Sequence, residues 1–264
     1  MKIGFIGTGN MAQAIIGGLL SHDILSASAI YGSDHSEFCL KEVSNRYHIQ
    51  TTSSNADVVR SCDVVFLSVK PQYYEAVIHE VRDEITAKHI LISIAPGKTL
   101  LWLGEQVGKP SKIVRTMPNT PALVGEGMTG VCMNSLVSEE DIKVIMSILT
   151  SFGRAEIVPE ALMDAVVAVS GSSPAYIFLL IEAMADAAVA EGMSRVQAYE
   201  FAAQAVYGSA KMVLDTNKHP GELKDMVCSP GGTTIEGVQA LEETGFRSSV
   251  MQAMRVVAEK SRQM

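Results

Sequence analysis

The feature that most constrains this chain is a glycine turn near its beginning, set between an apolar strand and an amphipathic helix. Residues 3–6 are a short apolar run, and a Gly-Thr-Gly turn at residues 7–9 follows it directly. Apolar and small residues then recur at helical spacing from residue 11 to residue 19. A buried strand, a glycine turn and a helix in this order predict the opening unit of an α/β fold with a parallel sheet.

The turn and the start of the helix form the pattern Gly-x-Gly-x-x-Ala over residues 7–12. Gly7 permits a sharp turn out of the strand, Gly9 lets the backbone approach a pyrophosphate, and Ala12 lets helix and strand pack closely. The free amides at the beginning of the helix attract an anion. The pattern therefore predicts a dinucleotide site, although glycine turns also join strands to helices for packing alone.

Length and composition limit the classes of protein that fit. A chain of 264 residues predicts one large or two modest domains, and 47% apolar residues suffice for a sizeable core. The net charge of −8 argues against nucleic acid or an anionic membrane as a partner. The four cysteines are widely spaced, and we expect no secretory segment, so we predict reduced thiols in a cytoplasmic protein. The six histidines lack metal-ligand spacing, and we predict no metal site.

Strands and helices alternate over the first part of the chain, and helices alone follow. Strands are predicted at residues 29–32, 63–69, 90–95, 112–115, 127–133 and 155–158. Helices are predicted at residues 173–192, 194–216, 220–227, 234–243 and 246–263. We therefore predict an α/β protein with a Rossmann-type doubly wound sheet over residues 1–160, followed by an all-α dimerisation domain over residues 161–264.

The helix predicted at residues 173–192 is apolar enough to resemble a membrane span. Glu182, Asp186 and Glu191 argue against that, because charges at the centre of a bilayer are costly. We expect instead a helix buried inside a bundle or a subunit interface, and the apolar faces of the helical half predict a dimer.

The tip of the second strand bears on the choice of cofactor. An acid at this point binds the ribose 2′-hydroxyl of NAD, whereas small polar or basic groups accommodate the 2′-phosphate of NADP. Ser33 suits a phosphate, Asp34 would repel one, and no arginine follows, so the residues leave both cofactors open with a preference for NADP. The next two strands end in loops that contain Lys70 and Pro96, and these loops are expected at the carboxyl edge of the sheet, where ligands bind.

A second candidate site lies in the helical half, in the run Ser-Pro-Gly-Gly-Thr-Thr at residues 229–234. Consecutive glycines before a helix leave several amides directed into one small space, and three hydroxyls lie beside them. Such a nest is suited to a small carboxylate. The alternative is an interhelical turn with a threonine cap, and the pattern alone does not separate the two.

Longer motifs resemble those of the pyrroline-5-carboxylate reductases. The stretch HPGELKDMVCSPGGTT at residues 219–234, RTMPNTPA at residues 115–122 and GSSPAY at residues 171–176 carry this resemblance, which extends over the whole chain. It implies NAD(P)H-dependent reduction of the cyclic imine 1-pyrroline-5-carboxylate to L-proline, the last step of proline synthesis. It further implies NADPH as the usual cofactor, with NADH as the alternative, and pairing of subunits through the helical domain, so that each active site uses both chains.

The resemblance also implies roles for individual residues. Thr234 is expected to donate a hydrogen bond near the imine nitrogen, with ordered water as the alternative proton source. The substrate carboxylate is expected to bind at Ser229, Gly231, Gly232 and Thr233. The expected cofactor-binding residues are Gly7, Thr8, Gly9, Asn10, Met11, Ser33, Asn55, Val69, Lys70, Pro71, Ala95 and Asn119.

Two other functions are compatible with the same two-domain architecture. A β-hydroxyacid dehydrogenase would need a general base, for which Lys211 is the nearest candidate. The second alternative is a regulatory protein that binds the cofactor without turnover. The intact motif at residues 229–234 argues against it, because such a protein would not need a substrate site.

Overall fold

The computed structural model describes residues 1–264, and its contacts divide the chain into two compact units. The first unit comprises Met1–Ser172 together with Val257–Met264, and the second comprises Ser173–Val256.

The first unit is built on one eight-stranded sheet. Its strands are β1 (Ile3–Ile6), β2 (Ile30–Ser33), β3 (Gln50–Thr52), β4 (Val64–Leu67), β5 (Ile90–Ser93), β6 (Lys112–Met117), β7 (Gly127–Met133) and β8 (Gly153–Ile157). Their order is β3-β2-β1-β4-β5-β6-β7-β8, and every neighbouring pair is parallel except β6 and β7. The doubly wound sheet predicted from the alternation of strands and helices is confirmed.

Strand β3 was not predicted from the sequence. The edge strand β3 has three residues, all polar and none buried, so it carries no apolar pattern. Central strands are different, because the side chains of β1 and β4 are buried on both faces of the sheet.

Helices cover both faces of this sheet. In chain order they are α1 (Asn10–Ser21), α2 (Glu37–Tyr47), α3 (Asn55–Ser61), α4 (Tyr74–Val81), α5 (Leu100–Val107), α6 (Glu139–Leu149) and α7 (Met163–Val166). The period of two along a strand sends alternate side chains to opposite layers. Ile3 and Phe5 pack with α1 and α6, while Ile6 packs with α3, α4 and α5.

The second unit contains only helices, as predicted. They are α8 (Ser173–Ala190), α9 (Arg195–Thr216), α10 (Pro220–Val227), α11 (Thr233–Glu243) and α12 (Phe246–Arg262). The end of α12 belongs to the first unit, where the Ser261 hydroxyl donates to Asp164 Oδ1 at 2.6 Å.

Much of the apolar surface of this helical unit is uncovered in the single chain. Only Pro174 and Ala185 of α8 are buried, whereas Phe178 and Phe201 are more than 60% exposed. The helical run Glu160–Ala190 has a window of mean hydropathy 1.6, of which 17% is buried, and by length and composition alone it could cross a membrane. The single chain therefore does not bury α8 in a bundle of its own, and the subunit interface expected from the sequence stays a prediction at this point.

Candidate active site

The glycine turn after β1 has the backbone that its sequence predicts. Gly7 has φ +94°, and a Cβ there would lie 2.8 Å from the carbonyl oxygen of Ser68. The Gly7 amide donates to the carbonyl oxygen of Ser33 at 2.8 Å, which joins the turn to the end of β2. Only glycine fits at this position, because both the backbone angle and the space exclude a side chain.

The next glycine opens onto free space. A Cβ on Gly9 would meet no atom within 4 Å, and Gly9 is the N-cap residue of α1. No side chain caps this helix, and its first turn contains no acidic residue. The amides of Asn10 and Met11 therefore lack partners inside the helix and lie at an exposed or half-exposed surface. This arrangement fits a pyrophosphate, which needs donors and close approach of the backbone.

Thr8, between the two glycines, is held from three directions. Its amide and its hydroxyl both donate to Asp34 Oδ2, at 2.9 and 3.2 Å, and its carbonyl oxygen accepts from Gln13 Nε2 at 3.2 Å. The Thr8 side chain is fully buried. The sequence predicted Asp34 only as a group facing the ribose, and the structure shows that its carboxylate holds the turn.

The two predicted residues near the tip of β2 contact each other. The Ser33 hydroxyl is fully buried and donates to Asn55 Oδ1 at 2.7 Å, and Asn55 Nδ2 donates to Glu80 Oε2 at 2.8 Å. The structure thus brings Ser33 and Asn55 together, with the serine hydroxyl directed into the protein. Their contacts with a cofactor stay predictions.

The carboxyl ends of β4 and β5 are tied together by a tyrosine that sequence analysis missed. The Tyr74 hydroxyl donates to the carbonyl oxygen of Leu67 and accepts from the Ile94 amide at 3.2 Å and from Ser93 Oγ at 3.3 Å. Tyr74 is fully buried, and burial raises the pKa of its phenol to about 12, so it stays neutral. Its place at the start of α4 gave only the signal of an apolar helix position.

The predicted cofactor residues after these strands differ in exposure. Lys70 is exposed and forms no ion pair, Val69 and Pro71 are half-buried, and Ala95 is buried. Lys70 is therefore available to an anionic ligand, whereas Ala95 can offer mainly its backbone.

Asn119 lies in the loop after β6, and both ends of its side-chain amide are engaged within the protein. Its Nδ2 donates to the carbonyl oxygen of Ser170 at 2.9 Å, and its Oδ1 accepts from the Met128 amide at 2.8 Å. Asn119 therefore anchors this loop, and its predicted contact with the cofactor stays a prediction.

The glycine turn before α11 is as open as the sequence suggests. Gly231 has φ +64°, and the Gly232 amide donates to the carbonyl oxygen of Ser229 at 3.0 Å. Gly232 is the N-cap residue of α11, no side chain caps the helix, and Thr233 and Thr234 are exposed. The turn thus presents amides and hydroxyls to the outside at a helix N-terminus, as a carboxylate site requires.

Comparison with known proteins decides the family. The chain is 50% identical to pyrroline-5-carboxylate reductase of Escherichia coli (strain K12) over 260 residues, covering 98% of this chain and 97% of that protein. It is 44% identical to the pyrroline-5-carboxylate reductase of Methanosarcina acetivorans, covering 100% of this chain and 97% of that protein. The chain belongs to the pyrroline-5-carboxylate reductase family.

Two family models and a solved structure agree with this assignment. Residues 160–264 match a model described as pyrroline-5-carboxylate reductase dimerisation, and residues 2–97 match one described as NADP oxidoreductase, coenzyme F420-dependent. The pyrroline carboxylate reductase of Plasmodium falciparum, solved with NADP bound, superposes with a TM-score of 0.91 at 35% identity, covering 100% of this chain and 97% of that one. The protein is thus an NAD(P)-dependent oxidoreductase with a Rossmann-type domain and a helical dimerisation domain that supports homo-oligomers.

Membership of this family removes the two rival interpretations. Lys211, the base that a β-hydroxyacid dehydrogenase would need, pairs with Asp215 one turn further along α9. The buried cysteines are also poor nucleophiles, because burial raises the pKa of Cys62 to about 12 and that of Cys132 to about 11.

Proposed function

We propose that this enzyme reduces 1-pyrroline-5-carboxylate to L-proline with NAD(P)H, the last step of proline biosynthesis. The observation that carries the proposal is the extent of the similarity to named reductases, because 98% of the chain takes part at 50% identity. Both glycine turns lie inside that match. Each also has the open backbone that its proposed ligand needs.

A bound reduced nicotinamide would supply a hydride to the imine carbon, and a proton from ordered water or from the Thr234 hydroxyl would convert the C=N bond to a secondary amine. The amides of Gly9, Asn10 and Met11 bind the pyrophosphate and orient the cofactor. The turn at residues 229–234 binds the substrate carboxylate through its amides and hydroxyls, and hydrogen bonds to a charged group contribute about 1.5–3 kcal/mol each. The Thr234 hydroxyl donates a hydrogen bond near the imine nitrogen.

We propose NADPH as the preferred cofactor. The description of the matching family model and the NADP bound to the Plasmodium falciparum relative support this choice. The Asp34 carboxylate already accepts hydrogen bonds from Thr8 and from the Ser36 amide at 3.0 Å, which leaves it fewer lone pairs for a ribose hydroxyl.

We also propose that two copies pair through their helical domains, in a dimer or an assembly of dimers. The uncovered apolar side chains of α8 and α9 support this, since exposed patches of this extent mark interfaces. Sedimentation of the purified protein over a range of concentrations should show a dimer or a larger assembly, and a stable monomer would contradict the proposal.

Four free thiols favour the cytoplasm as the location of the enzyme.

One assay tests the reaction. Oxidation of NADPH and of NADH in the presence of pyrroline-5-carboxylate is followed by the loss of the absorbance of the reduced nicotinamide, and L-proline is quantified as the product. We expect stoichiometric L-proline and a higher kcat/KM with NADPH. Cofactor oxidation without proline, or no oxidation by a protein that binds the cofactor, would reject the proposed reaction.

A further inference from the structure

The loop after β2 contains a carboxylate whose contacts are unusual for its position. In a dinucleotide-binding sheet, an acid at this tip faces the adenosine ribose. Here both oxygens of Asp34 are engaged by the protein itself: Oδ2 accepts from Thr8 and Oδ1 from the Ser36 amide, and Nδ1 of the His35 ring lies 3.2 Å from Oδ1. The Asp34 side chain is 11% exposed, whereas the next residue, His35, is 96% exposed.

Thr8 is the residue on which these contacts converge. Its peptide lies between the two glycines, and its three polar groups all have partners: Asp34 for the amide and the hydroxyl, and Gln13 for the carbonyl oxygen. Because Thr8 is fully buried, the loss of a partner leaves a buried polar group unpaired, which costs free energy. The orientation of the free amides that follow, from Gly9 onward, therefore depends on the Asp34 carboxylate.

We propose that Asp34 is a positioning residue that fixes the Gly7–Gly9 turn for the pyrophosphate, and that it does not select between NADH and NADPH by contact with the ribose. This inference rests on the proposed cofactor site. Ordering the turn before the ligand arrives reduces the entropy lost on binding, which is the benefit of preorganisation. Since NADH and NADPH share the pyrophosphate, the loss of Asp34 should weaken both alike.

A selectivity role predicts the opposite pattern. An acid that accepts from the 2′-hydroxyl favours NADH and repels the 2′-phosphate of NADPH. Removing such an acid would weaken NADH binding and strengthen NADPH binding. The ratio of the two dissociation constants therefore separates the two roles.

The experiment is direct titration of the purified enzyme with NADH and with NADPH, followed by the fluorescence of the reduced nicotinamide, for the wild type, Asp34→Ala and Asp34→Asn. We expect both dissociation constants of Asp34→Ala to rise about tenfold, as for the loss of about one hydrogen bond to a charged group, with their ratio unchanged within about twofold. Asp34→Asn keeps one acceptor oxygen and should recover part of the affinity for both cofactors.

Glu37→Ala is the matched control. Glu37 is an exposed carboxylate at the start of α2, three residues from Asp34. Its replacement by alanine removes the same charge and leaves the contacts of Thr8 unchanged. We expect its dissociation constants to change less than twofold. The activity lost in Asp34→Ala should appear mainly as a higher KM for both cofactors, with a smaller change of kcat at saturating cofactor. A general loss of structure would lower kcat as well.

Opposite shifts for the two cofactors, or unchanged affinities in Asp34→Ala, would overturn the inference. If Asp34→Ala does not fold, Asp34→Asn decides by the same ratio. Failure of the proposed reaction is distinguishable, because these titrations need no turnover. A wild type that binds both cofactors and reduces no imine would reject the proposed reaction and leave the role of Asp34 testable.

Discussion

The two glycine turns of this protein offer the same chemistry on different supports. The turn at residues 7–9 lies on a buried strand, and each polar group of Thr8 has a partner in the same unit. The turn at residues 229–234 lies between two helices, and Ser229, Thr233 and Thr234 are all exposed. The first turn is thus shaped by its own unit. The second belongs to a helical unit whose apolar surface is uncovered in the single chain, so we expect its final environment to depend on a second copy.

This difference teaches where each site is vulnerable. The preorganised turn at residues 7–9 should lose ligand affinity when its backbone or the side chains that hydrogen-bond to it are changed. This loss should occur within a single folded chain. A turn on an unpaired helical unit should depend on its own hydroxyls and amides and on association of the subunits.

Gly9→Val should remove cofactor binding, with a loss of at least about 100-fold, or about 2.7 kcal/mol. A Cβ at Gly9 meets no atom of the protein, so the variant should fold, and the new side chain should occupy the space that the pyrophosphate needs. Fluorescence titration with NADPH measures the loss. Gly17→Ala on the same helix is the control, since its Cβ would make only an ordinary contact of 3.7 Å with Tyr47. Normal NADPH binding by folded Gly9→Val would reject the pyrophosphate assignment.

Thr234→Ala should lower kcat/KM for pyrroline-5-carboxylate about tenfold or more, equivalent to about 1.4 kcal/mol of transition-state stabilisation. The dissociation constant of NADPH should not change, because the two turns bind different groups. Thr244→Ala, at the other end of α11, is the control, since the Thr244 hydroxyl donates to the carbonyl oxygen of Ala240 at 3.0 Å. Unchanged kinetics of Thr234→Ala would remove the proposed catalytic role of Thr234.

Tyr74→Phe should destabilise the first unit by about 1 kcal/mol, because the buried groups at the ends of β4 and β5 lose their shared partner. Urea denaturation at a fixed protein concentration measures this, since association contributes to the apparent stability. Tyr73→Phe is the matched control, as the neighbouring Tyr73 is 52% exposed. Equal midpoints for the two variants would show that the phenol does not brace the sheet.

His89 should give the smallest effect, a dependence of stability on pH. Burial lowers the pKa of His89 below its ordinary value of 6.5, and its Nδ1 accepts from the Thr86 amide at 2.8 Å. Below pH 6.5, His89 therefore binds a proton more readily in the unfolded chain than in the folded protein. The contribution of neutral, buried His89 to the free energy of unfolding is fully present above pH 6.5, and it is lost as the pH falls through the pKa of His89 in the folded protein.

His89→Asn keeps an acceptor for the Thr86 amide and should flatten the fall of the unfolding free energy below pH 6.5. Urea denaturation at a series of pH values measures the slope. His79→Asn, at an exposed histidine of α4, should leave the slope as in the wild type. A wild-type slope in His89→Asn would assign the pH dependence to other groups.

Periodic patterns of neighbouring residues made most of the fold predictable. Continuous apolar runs marked the buried strands, and apolar spacing with glycine and proline marked the helices, including α8 to α12. The sequence missed β3, which is short and polar, and α5, whose start depends on Thr99 as a cap for the Trp102 amide. Both are short elements, and short elements carry few periods of any pattern.

The candidate site was predictable only in part. The glycine pattern named the first turn, and local order alone explains why Gly7 and Gly9 are needed there. The partners of polar side chains were not predictable in the same way. The place of Ser33 at the tip of a strand predicts a cofactor contact, which stays a prediction. The sequence did not predict that its buried hydroxyl donates to Asn55, 22 residues away.

The order of strands and helices, the two glycine turns and the family can be deduced from the sequence alone, because each depends on residues that are close together in the chain or on similarity along it. Which side chains support the first turn depends instead on the three-dimensional fold. Asp34 reaches Thr8 across 26 residues only because β1 and β2 are neighbours in the sheet, with Ile6 opposite Ser33. Partners so distant along the chain are set by sheet order and register, which local patterns do not encode.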